Sequence, residues 1–173
     1  TLQGGAATLS SATPSSISTS GNVYTLGIGL SGTPDGVEVL TVTLVDSAIY
    51  DAASNIASVT QNNNSTTLFD QKAPTITSVS PSSDNSSIIV IFSEAVFSKS
   101  DGSGVLDTAD FAFSIAGGNT TLANTNPTSI SSSDSTYTLG LSLSGIPNGS
   151  EVVTVALVDS AIFDAVGTAA STT

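Results

Sequence analysis

Apolar and polar positions alternate along most of this chain. Tyr24, Leu26, Ile28 and Leu30 are separated by Thr25, Gly27 and Gly29. Leu40, Val42 and Leu44 are separated by Thr41 and Thr43. A period of two sends one set of side chains to a buried face and the other to water, so each run predicts a β-strand. Between them lies Ser31-Gly32-Thr33-Pro34-Asp35-Gly36, which has the composition of a turn. The same reasoning predicts strands at 75–80, 87–96 and 111–115, and a short one at 66–70 ahead of a linker around Lys72-Ala73-Pro74. No segment sustains a helical period. Short strands punctuated by Gly, Pro, Asn and Asp predict an all-β fold.

The chain also repeats itself. Gly4 to Thr60 aligns with Gly117 to Thr173 without a gap, at an offset of 113 residues and with 33 identities. Tyr24-Thr25-Leu26-Gly27 returns as Tyr137-Thr138-Leu139-Gly140. A period of this length suits one β-sandwich domain and is far too long for a solenoid rung. The predicted organisation is residues 1–71 as the last strands (E, F and G) of a first repeat. Residues 72–173 are then a second repeat lacking its final strand. Domain edges that fall inside the repeat suggest a window on a longer tandem array. The alternative is a filament subunit completed by β-strand exchange with a neighbouring copy, because an open sandwich leaves edge strands unpaired.

A family resemblance rests on the second copy. It reads Ala73-Pro74-Thr75-Ile76-Thr77-Ser78-Val79-Ser80-Pro81, then Ile91-Phe92-Ser93-Glu94-Ala95-Val96, Asp110-Phe111, Gly117-Gly118 and an Asp-Ser-Ala-Ile-Phe-Asp-Ala run at 159–165. Together these resemble the bacterial immunoglobulin-like repeats of very large surface proteins. In form they are most similar to the tandem repeat of cyanobacterial swimming-associated surface proteins. The resemblance covers nearly the whole chain. It implies tandem immunoglobulin-like β-sandwiches of about seven strands each, an extracellular, cell-surface location, and a load-bearing or adhesive role without catalysis. The resemblance identifies no binding partner; the partners expected are neighbouring copies of the same repeat or subunit and a surface glycan or other cell-surface target. One departure stands out. The family's closing Asp-x-x-Gly-Asn motif appears here as Asp51-Ala52-Ala53-Ser54-Asn55 and as Asp164-Ala165-Val166-Gly167-Thr168, so each copy keeps half of the Gly-Asn pair.

Charge and composition narrow the chemistry. The net charge is -12, with fourteen acidic residues against Lys72 and Lys99. Binding to nucleic acid needs Lys and Arg to replace phosphate counterions, and a membrane-surface segment needs a basic cluster; neither is present. No apolar stretch reaches the length of a membrane span. The chain has no His and no Cys, which removes imidazole acid–base chemistry, thiols, disulfides and ordinary zinc sites. Asp159 and Asp164 match a glycosidase pair only in number, and there is no Trp to make a sugar platform. The expectation is a non-enzyme, with a carbohydrate-binding module as a further alternative to the stalk and the filament.

What remains is oxygen chemistry, which suits calcium. In a sandwich of this strand order, the loop after strand B carries Glu94, Asp101, Asp107 and Asp110. The loop after strand F carries Asp159 and Asp164, and the last strand of the preceding domain ends at Asp70. These carboxylates are predicted to converge on one interdomain pole, where calcium would relieve their repulsion and stiffen the junction. The spacing is not that of an EF-hand. The competing expectation is that they cap turns and keep the surface soluble.

Overall fold

The computed structural model describes residues 1–158 and 161–172. The chain divides into two units, Thr1–Lys72 and Ala73–Thr173. Both are built of β-structure, and among the described residues the one helical element is a single 3-10 turn at Thr108–Asp110.

The first unit holds β1 (Leu2–Gln3), β2 (Thr8–Leu9), β3 (Ser16–Ser20), β4 (Val23–Gly27), β5 (Leu30–Ser31), β6 (Val39–Thr41) and β7 (Ser65–Thr67). Its sheets are β1-β6-β7, β2-β5 and β3-β4, all antiparallel. The second unit holds β8 (Ile76–Pro81), β9 (Ser87–Phe92), β10 (Phe111–Ala116), β11 (Thr121–Leu122), β12 (Ile130–Ser133), β13 (Thr136–Gly140), β14 (Leu143–Ser144) and β15 (Val152–Leu157). Here a four-stranded sheet runs β12-β13-β9-β8, beside the pairs β10-β15 and β11-β14.

The repeat in sequence is a repeat in pairing. Leu9 faces Leu30, and Leu122 faces Leu143; Ile17 faces Leu26, and Ile130 faces Leu139. Leu2 and Gln3 face Leu40 and Val39, as Ile115 and Ala116 face Val153 and Val152. The isolated bridge Tyr50–Ile56 returns as Phe163–Ala169. Each registration differs by the same 113 residues.

Alternation places the core of the second unit. On β9, Ile88, Val90 and Phe92 are buried; on β13, Tyr137 and Leu139; on β10, Phe111 and Phe113. These join Val96, Leu106, Leu141, Leu157 and Ile162 in one cluster that draws on both the four-stranded sheet and the β10-β15 pair. Three rings lock the two sheets together. Phe92 meets Tyr137 edge-on at 5.6 Å, and Phe111 lies 6.4 Å from Phe92 and 6.1 Å from Tyr137. Such tilted contacts suit the ring quadrupole.

Several strands are shorter than the alternation predicts. β9 stops at Phe92 rather than 96, although Ser93 still donates to Thr75 O at 2.8 Å. β6 covers Val39–Thr41, whereas its repeat counterpart β15 runs through to Leu157. The partner decides this: β10 supplies six paired residues beside β15, and β1 supplies two beside β6. Strand 66–70 appears as β7, and Leu68 N continues its pairing onto Glu38 O at 2.9 Å.

Candidate metal centre

The site is built in the second unit by the segments that follow β9 and β15. They are stitched by a pair of backbone bonds: Phe97 N donates to Phe163 O at 2.7 Å, and Phe163 N to Phe97 O at 2.8 Å. Gly102 sits at φ +73°, where a Cβ would stand 2.5 Å from the carbonyl oxygen of Ala165. Only glycine lets the two segments approach this closely.

Asp164 opens the turn after that bridge. Its Oδ1 accepts from Val166 N at 2.9 Å and Thr168 N at 2.7 Å, a side-chain-to-backbone turn of the kind Asp favours. The first unit contains the same turn, in which Asp51 Oδ1 accepts from Ala53 N and Asn55 N, each at 2.8 Å. There the second oxygen is also satisfied, because Asn55 Nδ2 donates to Asp51 Oδ2 at 2.8 Å. These bonds, the Asn55 side chain first, hold the Asp51 carboxyl below its ordinary value. Position 168 is Thr, whose side chain carries no amide to match that of Asn55. Asp164 Oδ2 is accordingly left buried without a hydrogen-bond partner. An orphaned buried carboxylate oxygen is costly, so it calls for a ligand.

A carboxylate oxygen of Glu94 lies within 4.8 Å of one on Asp164. Two carboxylates at this spacing repel unless a cation or a proton stands between them. The structure therefore brings together two of the seven predicted ligands within one unit. Asp70 belongs to the first unit, where its Oδ1 accepts from Lys72 N at 2.9 Å. Asp159 lies outside the described residues.

Asp101, Asp107 and Asp110 are engaged in their own loop. Asp101 accepts from the amide and hydroxyl of Ser103; that hydroxyl above all holds its carboxyl below the ordinary value. Asp107 caps the 3-10 turn by accepting from Ala109 N at 2.7 Å, while Asp107 N donates to Asp110 Oδ2 at 2.7 Å, a reciprocal capping box. Burial pushes the Asp110 carboxyl up, and the neighbouring Asp107 charge pushes the same way. Burial, then the Asp110 charge, also raises the Tyr137 hydroxyl, which donates to Val96 O at 3.2 Å inside the core.

Two acidic residues outside the predicted set are structural staples. Glu38 accepts from Ala7 N and Asp35 N, each at 3.0 Å, through its two oxygens. Its repeat counterpart Glu151 accepts from Asn119 N at 3.1 Å, Asn148 N at 3.0 Å and Gly149 N at 3.1 Å. The Ala7 amide leads in holding Glu38 below its ordinary value. For Glu151, desolvation pushes up, and its amide donors outweigh it to give a lowered value. Each carboxylate pins the turn ahead of its own strand to the Gly-Gly segment. The signal is an acidic residue kept at the same repeat position immediately ahead of an apolar strand.

No protein-family model matches the sequence, and no curated protein and no solved structure matches the chain.

Proposed function

We propose that the chain is a structural or adhesive segment of an extracellular bacterial surface protein, made of tandem immunoglobulin-like β-sandwich repeats that form an extended fibre or stalk. One observation carries this reading: strand pairing recurs residue for residue at an offset of 113. Tandem copies of a pairing scheme set reach and repeat spacing. The two copies also keep their turn staples, Glu38 with Glu151 and Asp51 with Asp164, which supports a scaffold role. Antibodies raised against the chain are expected to label intact cells of the producing organism. Labelling only after permeabilisation would refute a surface location.

A calcium ion held through Asp164 Oδ2 and Glu94 would stabilise the loops of the second unit. Calcium takes six to eight oxygens, so water and carbonyl oxygens would complete the shell. The bare oxygen on Asp164 supports this reading. Calorimetric titration of the intact chain with calcium is expected to show binding, together with a melting temperature that falls on adding chelator. Asp164→Asn should abolish both effects. Absence of titration heat in the wild type would refute the site, as would a chelator response that survives Asp164→Asn.

A further inference from the structure

The first unit presents to solvent the side chains that the second unit buries. Tyr24 is 63% exposed and its counterpart Tyr137 is 6%; Ile49 is 47% and Ile162 is 1%; Ile28 is 43% and Leu141 is 8%. The residues are the same or near-isosteric and their local pairing is the same. The difference is cover. In the second unit β9 lies against β13, with Tyr137 opposite Val90 and Leu139 opposite Ile88. β10 adds Phe111 and Phe113 from the other side of the core. In the first unit β4 pairs only with β3 among the described residues, so its other edge is free. Beside it runs an apolar groove of about 590 Å³ whose lining includes Tyr24, Leu26, Ile28, Leu44 and Ile49.

We propose that this face is an acceptor for three β-strands with the sequence pattern of residues 76–116, delivered by a segment that runs directly into β1. The register names the occupant. β1 faces β6 as the last two residues of β10 face β15, so β1 holds the register that the end of β10 holds in the second unit. A strand with the pattern of β9 would add to the free edge of β4 and lower alternate apolar side chains into the groove, which is edge augmentation. The chemistry required is that of Ile88, Val90 and Phe92 on one strand and Phe111 and Phe113 on the next.

The test places a copy of residues 74–113 ahead of Thr1, so that Phe113 precedes Thr1 as it precedes Ser114. Hydrogen exchange at β4 amides is expected to slow by about a hundredfold or more, toward the rates of β13, in a monomer. Binding of a hydrophobic dye by the extended chain should fall. Placing V90D in the added copy alone should restore fast exchange. Unchanged β4 exchange in the extended chain would overturn the proposal, as would protection that survives V90D. So would an unextended chain whose β4 is already protected in a concentration-dependent dimer, since a second copy would then be the occupant. The inference rests on the tandem-repeat reading of the chain. Failure here alongside surface labelling of intact cells would remove the acceptor face and leave the surface role standing.

Discussion

Ile49 and Ile162 sit in the same local sequence, one half exposed and the other buried in the core. Replacing each with Ala therefore separates cover from local propensity. Ile162→Ala removes three buried carbons, a transfer loss of about 2.5 kcal/mol at ~0.8 kcal/mol per methylene. The cavity left beside the aromatic cluster raises the cost to about 3–4 kcal/mol. Ile49→Ala removes the same atoms from a site that water already reaches, so about half the transfer loss and no cavity remain, roughly 1 kcal/mol. The gap of about 2 kcal/mol corresponds to some 10 °C in melting temperature for a unit of this size, by the scaling of about 4–8 °C per kcal/mol. Urea denaturation would measure it, with hydrogen exchange at β4 and β13 reporting which unit each variant weakens. Equal losses for the two variants would refute the claim that burial, rather than local sequence, distinguishes the copies. In the chain extended by residues 74–113, the cost of Ile49→Ala should rise to that of Ile162→Ala.

Three further outcomes follow from single groups. Thr168→Asn restores the donor that Asn55 supplies in the first unit, so without calcium it should stabilise the second unit by about 1 kcal/mol and shrink its response to added calcium; chelator-controlled melting would show both. Thr120 Oγ1 is buried without a partner where the first unit has buried Ala7, so Thr120→Ala should raise stability by about 1 kcal/mol in urea, and a loss would mean the hydroxyl is satisfied. The Ser82 and Ser86 hydroxyls, with the Ser86 amide, hold the Asp84 carboxyl at about 2, below its ordinary 3.8. A depressed carboxyl stabilises the fold above its ordinary value and loses that contribution as pH falls toward the folded one. The stability difference between wild type and Asp84→Asn should therefore narrow between pH 3.8 and about 2, and a constant difference across that range would contradict the assignment.

Much of the fold was legible because it depends on period two. The period of two marks strands at 75–80 and 111–115, and the repeat offset marks which segments recur. In the unbroken apolar run Ile88-Ile89-Val90-Ile91-Phe92, only the structure shows that Ile88, Val90 and Phe92 take the buried face. Strand length was not legible: β6 and β15 share most of their sequence, yet their lengths follow the partner beside them. For the site, residue type pointed to Glu94 and Asp164 but equally to Asp101, Asp107 and Asp110. Those three are absorbed by local capping, and the Asp107-x-x-Asp110 spacing was itself readable as a cap. The exchange of Asn55 for Thr168 was visible in the alignment. Its consequence, a bare oxygen on Asp164, emerges only when the turn geometry shows where the Asn55 amide points.

The exposed face of the first unit also bears on how the chain is made. Synthesis delivers residues 4–60 first, then 76–116, and only later 117–173. The donor strands thus leave the ribosome when a related face already exists and their own does not. At elongation rates of about 5–20 residues per second, the interval lasts seconds, long compared with hairpin formation. On these timescales an uncovered acceptor face in the first unit would compete for those strands before their own face is made. The two faces differ in shape where the copies differ, at Ile28 against Leu141 and Leu40 against Val153, and these positions set how differently each face would receive the same strands.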